Sequence, residues 1–292
     1  MTLPNFLVIG ASRCGTTWLH DLLATHPEVY MSEKRKEVNY FTDEFDRGRE
    51  GYESFFPVDA GACIAIGEST PTYLYREDSA RRIAEVENIR KLIAILRNPL
   101  DRLISDYFIH YRFDGFPGTL ENFIQSDPCA YSHNFYSRHI STYLEFCPQK
   151  PLSVLITEEV TGNTVLAQAR LAEILGLDAA AFPNDAGKKR VNERTVPRLT
   201  APYSAARKIA KFFRDRDLDH VVNWAHRSGV NRLFGFRKPD FEGAPPHDLM
   251  RHLAETFLPE VERVESLIGR NLDIWRNDLL NVVDDRKSEK AF

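Results

Sequence analysis

The segment Phe6-Leu-Val-Ile-Gly10-Ala-Ser-Arg13-Cys14-Gly15-Thr16-Thr17-Trp18-Leu19 reads as an apolar strand, a loop opened and closed by glycine, and the first turn of a helix. No other stretch constrains the fold as much, because a buried strand feeding a helix through a tight loop is the opening unit of a parallel α/β sheet. Glycine permits the turn at each end, and the first N–H groups of a helix lack intrahelical partners, so the loop is built to receive an anion. The Gly10-to-Gly15 spacing copies the P-loop, yet Thr16 stands where a nucleoside-triphosphate enzyme places lysine, and Arg13 is the cation inside the loop. That favours a single phosphate ester over a β,γ-phosphate pair. It would be held by N–H groups from Gly15 to Trp18, the Thr16 and Thr17 hydroxyls and one guanidinium.

A second landmark is Leu92-Ile-Ala-Ile-Leu96-Arg97-Asn98-Pro99-Leu-Asp101-Arg102-Leu-Ile-Ser105-Asp-Tyr107. Here a buried-type strand runs into Arg97, then into a proline suited to a helix start. An arginine at the carboxyl end of a strand sits where open α/β sheets bind ligands, and Ser105 follows on the helix. Arg102 reads as an exposed or salt-bridged helical residue.

Together these two segments resemble the sulfotransferases that use 3′-phosphoadenosine 5′-phosphosulfate (PAPS), in particular the bacterial and heparan-type carbohydrate enzymes. The Arg13-Cys14-Gly15-Thr16-Thr17-Trp18 run is similar to that family's 5′-phosphosulfate loop. The pattern Arg97-x-Pro99-x-x-Arg102-x-x-Ser105-x-Tyr107 matches the segment whose arginine and serine bind the 3′-phosphate. Lys36-Glu37-x-x-Tyr40-Phe41 looks like the Lys-Glu-x-x-Phe-Phe segment, which implies Glu37 as catalytic base and Lys36, Tyr40 and Phe41 near the acceptor. Gly67-Glu68-Ser69-Thr70-Pro71-Thr72-Tyr73 resembles Glu-Lys-Thr-Pro-x-Tyr, which contacts the acceptor and the sulfuryl group, although Ser69 replaces the lysine. Arg13 or Lys36 would then supply the missing charge, and Glu68, His110, His133 and His139 compete with Glu37 for the role of base. The basic run Lys188-Lys189-Arg190-Val191-Asn192 resembles the late loop that closes over PAPS, which assigns Lys189, Arg190 and Asn192 to the cofactor.

The resemblance implies sulfuryl transfer to a hydroxyl, less readily an amine, of a small-molecule or glycan acceptor, with adenosine 3′,5′-bisphosphate as product and no metal. Two rivals stay open: a P-loop kinase or NTPase, and a nucleotide-binding protein without catalysis. The formal charge of −4 carries no basic excess of the kind a nucleic-acid binder shows. Cys14, Cys63, Cys129 and Cys147 have neither zinc nor disulfide spacing. No run is apolar enough to span a bilayer, and Met1 to Asn5 lead straight into the first strand without a signal sequence, so a cytoplasmic protein is expected.

The fold expected is α/β: a P-loop-like central parallel sheet flanked by helices, with a mostly helical C-terminal half. Strands are anticipated near 5–10, 62–67, 91–96 and 152–157, and helices near 16–25, 77–87, 99–112 and 133–146. Apolar spacing of three and four adds helices over 165–175, 204–217, 248–257 and 260–270. Residues 1–280 read as one domain and 281–292 as a charged, frayed tail.

Overall fold

The computed structural model describes residues 3–56, 63–111, 116, 118–187, 196–197, 206, 209–210, 236–237 and 245–284. Its centre is a five-stranded parallel sheet of β1 (Phe6–Gly10), β2 (Val29–Met31), β3 (Ala65–Ser69), β4 (Lys91–Leu96) and β5 (Leu152–Ile156). Every residue of β1 and β3 is buried, as strands covered by helices on both faces require. Phe6 lies beside Gly67 in register, and a Cβ on Gly67 would come within 2.4 Å of the Phe6 ring. That glycine is what lets the aromatic side chain lie across β3.

The strand order is β2-β3-β1-β4-β5. From β1 the chain moves to one side of the sheet for β2 and β3, then crosses β1 to lay down β4 and β5. Such a reversal opens a crevice at the carboxyl ends of the central strands, where α/β sheets take their ligands. The Arg13 loop follows β1, the Lys36–Phe41 segment follows β2, Glu68 closes β3 and Arg97 follows β4. One crevice therefore collects all four sequence motifs.

The helices are α1 (Thr16–Leu23), α2 (Gly48–Glu53), α3 (Glu77–Ala84), α4 (Pro99–Ile109), α5 (Leu120–Ser126), α6 (Pro128–Ser132), α7 (Tyr136–Phe146), α8 (Thr157–Gly162), α9 (Thr164–Leu175), α10 (His247–Ile268) and α11 (Asp273–Asp284). A 3-10 turn spans Pro71–Tyr75, and Val196–Pro197 pairs antiparallel with Phe236–Arg237 as β6 and β7. No described helix is long and apolar enough to cross a membrane.

The structure departs from the sequence expectation in several places. The strand anticipated over 62–67 is Ala65–Ser69, because its last two residues, Glu68 and Ser69, are polar yet buried. Strand β2 was not anticipated, being three residues long with a half-exposed Tyr30 at its centre. The helix expected over 133–146 begins at Tyr136, and the short α2, α5, α6 and α8 carry too few turns to show periodicity. Pro259 suggests a break, but α10 runs through it without interruption. The last helix continues to Asp284, beyond the 281 boundary of the expected tail. Most of the helix expected over 204–217 lies outside the described residues.

Candidate active site

The loop between β1 and α1 is fixed from several sides. Ala11 N–H donates to the Ile95 carbonyl at 2.8 Å, and Ser12 N–H donates to the Tyr75 hydroxyl at 2.9 Å. Arg102 Nε donates to the Ser12 carbonyl at 3.1 Å, and Thr157 Oγ1 donates to the Cys14 carbonyl at 2.6 Å. The loop is thus shaped before any ligand arrives. Gly15 takes the left-handed conformation (φ 94°), and the first α-helical bond of α1 runs from Leu19 N–H to the Gly15 carbonyl. The earlier N–H groups have no side-chain cap and α1 has no acid in its first turn, which leaves the positive end of the helix dipole to an anion.

Charge around this end is strongly positive. Arg13, in the left-handed region at φ 68°, has a buried Nε with no hydrogen-bond partner. Its pKa is lowered chiefly by burial and also by Arg102 and Arg97, against the opposing pull of Asp106. Buried like charges with an unused donor call for a negative partner. Arg97, at the end of β4, pairs with Asp101 at 3.0 Å, and its carbonyl accepts from the Tyr136 hydroxyl at 3.0 Å. Ser105 is half-buried two turns into α4. That helix starts as its sequence suggests, with Pro99 in the first turn and Asn98 Oδ1 accepting from Leu100 N–H at 3.0 Å.

Of the two readings of Arg102, the salt bridge is found, to Asp106 at 3.0 Å, and the exposure is not: the residue is fully buried, and it also donates to Ser12, Ala130 and Asn134. It holds the loop from below. Cys14 also requires correction: its N–H donates to the Ala11 carbonyl, its carbonyl is taken by Thr157, and burial pushes its thiol up to about 11. It has no group to offer a cofactor and packs the loop instead. Trp18 Nε1 donates to the Gly187 carbonyl at 2.8 Å, so the chain leaves for Lys189, Arg190 and Asn192 from the first turn of α1. Those three residues lie outside the described residues.

On the opposite wall, the charge run after β2 divides its labour. Lys34 donates to the Ser54 carbonyl and Arg35 pairs with Glu44 at 3.2 Å, so both stabilise the segment itself. Lys36 turns toward α1, with Nζ 3.5 Å from Thr16 Oγ1 and 3.3 Å from Glu37 Oε1. The Glu37 side chain is 48% exposed and is linked to the uncapped helix end through Lys36. His20, four residues beyond Thr16 on α1, faces the same charge, and burial with Lys36 holds its pKa to about 4. No motif in the sequence marks it.

The expected acceptor contacts are corrected in part. Phe41, Glu68, Ser69, Thr70 and Tyr73 have no exposure, and Tyr40 is buried with its ring stacked 4.2 Å from that of Tyr52. Their apolar surface completes the core, and the Glu68 carboxylate is enclosed by the Tyr52, Thr70 and Tyr73 hydroxyls at 3.1, 2.5 and 2.7 Å. Burial pushes Glu68 up to about 7 despite those donors. The Ser69 hydroxyl is buried without a partner. His133 and His139 pack around Tyr75, the former stacked at 3.8 Å, and burial holds both near 4. His110 lies against Phe123.

An uncapped helix end beside guanidinium groups, at the switch point of a parallel sheet, defines an α/β protein of the P-loop-like class. The family model described as the sulfotransferase domain matches residues 3–196, and the chain belongs to the sulfotransferase family. Over 196 residues it is 30% identical to the bifunctional heparan sulfate N-deacetylase/N-sulfotransferase 2 of Bos taurus, covering 60% of this chain and 22% of that protein. It is 26% identical over 184 residues to the human heparan sulfate glucosamine 3-O-sulfotransferase 3B1, covering 60% of this chain and 46% of the relative. The match thus spans less than half the length of either relative. A sulfotransferase crystal structure from Alicyclobacillus acidocaldarius shares the fold, with a TM-score of 0.67, 20% identity, and coverage of 94% of this chain and 100% of that one.

Proposed function

We propose that this protein transfers a sulfuryl group from PAPS to a hydroxyl of a carbohydrate acceptor, with Glu37 as general base. The observation that carries the reading is the uncapped N-terminus of α1, with the unpartnered Arg13 Nε on one side and the Lys36–Glu37 pair on the other. These groups fit an anionic donor. When bound, PAPS supplies the activated sulfuryl group. The α1 N–H groups, Thr16, Thr17 and Arg13 hold the 5′-phosphate end and stabilise the charge growing there as the S–O bond breaks. Arg97 and Ser105 hold the 3′-phosphate. Glu37 accepts the proton of the acceptor hydroxyl as that oxygen approaches sulfur, a role typically worth about 100- to 10,000-fold in rate.

The carbohydrate class rests on the relatives, which are named as heparan sulfate sulfotransferases, and on Glu37 standing in the carbohydrate-type segment. Two measurements test the reading. Calorimetry should show adenosine 3′,5′-bisphosphate binding in preference to ATP with magnesium, and labelled PAPS should pass its label to glucosamine-containing oligosaccharides. Preference for ATP with magnesium would overturn it in favour of a kinase or NTPase. Nucleotide binding without transfer to any acceptor in a broad panel would leave a binding protein.

A further inference from the structure

The segment that carries Glu37 has no regular secondary structure between β2 and the turn at Phe45, so its backbone N–H groups must find partners elsewhere. Two of them converge on one buried cluster. Asn39 N–H donates to Thr70 Oγ1 at 3.3 Å and Phe41 N–H to the Tyr73 hydroxyl at 3.4 Å. Thr70 and Tyr73 then donate their own protons to Glu68, to Oε2 at 2.5 Å and Oε1 at 2.7 Å. Tyr52 adds a third hydroxyl at 3.1 Å. Every tie ends on the same carboxylate.

The chemistry of the central group matters. When ionised, the carboxylate only accepts, so it satisfies the three converging hydroxyls at once, whereas an amide turns a donor of its own into the cluster. Asn39, the first residue of the tethered run, takes the left-handed conformation at φ 58°, a geometry that persists where surrounding contacts over-determine it. We propose that Glu68 is a positioning residue: through Thr70 and Tyr73 it fixes the 39–41 backbone and thereby holds Glu37 beside Lys36 and Thr16. This inference rests on the reading of Glu37 as the base. It removes Glu68 from competition for that role, because a carboxylate enclosed by protein hydroxyls has no contact with an acceptor.

Amide hydrogen exchange on the full chain tests the anchoring without any acceptor. In Glu68→Gln, exchange at Asn39 and Phe41 should quicken by at least ~10-fold, while Leu19 in α1 and affinity for adenosine 3′,5′-bisphosphate should change less than about twofold. Tyr73→Phe removes one hydroxyl without changing charge and should quicken Phe41 chiefly, which keeps the test alive if Glu68→Gln folds poorly. Unchanged exchange at these amides would overturn the proposal. In the transfer assay, Glu68→Gln should lower kcat by ~10- to 100-fold with the donor KM unchanged, the loss expected when a base is displaced by about an ångström. The double variant Glu37→Gln with Glu68→Gln should turn over no more slowly than Glu37→Gln alone. Multiplying losses would show Glu68 acting independently and overturn the positioning role. Wild-type protein that neither binds the bisphosphate nor transfers the label would sink the sulfotransfer reading instead, and the exchange result would still decide the anchor.

Discussion

Arg97 and Arg102 lie five residues apart, carry the same charge and do different work. The side chain of Arg97 is 22% exposed and pairs with Asp101, which is 49% exposed, so that pair adds little stability. Arg97→Ala should therefore weaken adenosine 3′,5′-bisphosphate binding by about 10- to 100-fold, the value of one or two charge-assisted hydrogen bonds, with the melting temperature nearly unchanged. Arg102 is buried and its donors are committed to Ser12, Ala130, Asn134 and Asp106. Arg102→Ala strands the half-buried Asp106 and frees the loop, so it should cost about 3–5 kcal/mol in chemical denaturation. The sequence displays Arg13 and Arg97 because each is fixed by a neighbouring strand end. It cannot display Arg102, whose burial depends on Asn134, 32 positions away. Glu37 is the base proposed above, and Glu37→Gln should therefore lower labelled transfer by about 100- to 10,000-fold while leaving bisphosphate affinity within about twofold.

Helix α10 illustrates how an element is fixed by what it covers. Pro259 deletes one intrahelical hydrogen bond, and on propensity alone the helix should end there. It continues because the next residue, Glu260, is buried against the start of α7, where its carboxylate accepts from Ser137 N–H at 2.6 Å and from Ser137 Oγ at 2.9 Å. Phe257, Val261 and Val264 bury the rest of that face. Glu260 thus caps a helix distant in sequence, and α7 has no side-chain cap from its own N-cap residue. Glu260→Ala should lower stability by ~1–3 kcal/mol, the cost of stranding two buried donors, whereas Glu260→Gln keeps an acceptor and should lose less. Urea titration of the two variants separates them. The sequence shows the 3.6-residue spacing on both sides of the proline, but the tertiary cap that bridges it comes from a partner more than 100 residues away.

Across the whole molecule the parallel sheet gathers sequence-distant motifs at one edge, and it does so by burying polar groups that titrate. The α/β class and the crevice residues are legible because strand, loop and helix alternate locally. The protonation balance is not, because it depends on depth. His20, His133 and His139 are each held to about 4, foremost by burial; Lys36 adds to this at His20, and Arg102 at the other two. The unfolded chain takes up these protons near pH 6.5, so between pH 6.5 and 4 it binds more protons than the folded state and stability falls as pH falls. The loss approaches ~3 kcal/mol for each of the better-buried His20 and His139 and is smaller for His133. Glu68, held up to about 7, has the opposite sign: the folded state binds its proton first, which adds stability as pH falls toward 4.5. Burial also raises Glu158, so two carboxyls offset part of what the histidines lose, and the net slope belongs to the histidines. The urea midpoint should therefore drop from pH 6.5 to 4, and the double substitution His133→Phe with His139→Phe, which keeps the ring contacts with Tyr75, should flatten that drop. A midpoint that rises over the same interval would place control of acid stability with the two carboxyls and refute this assignment.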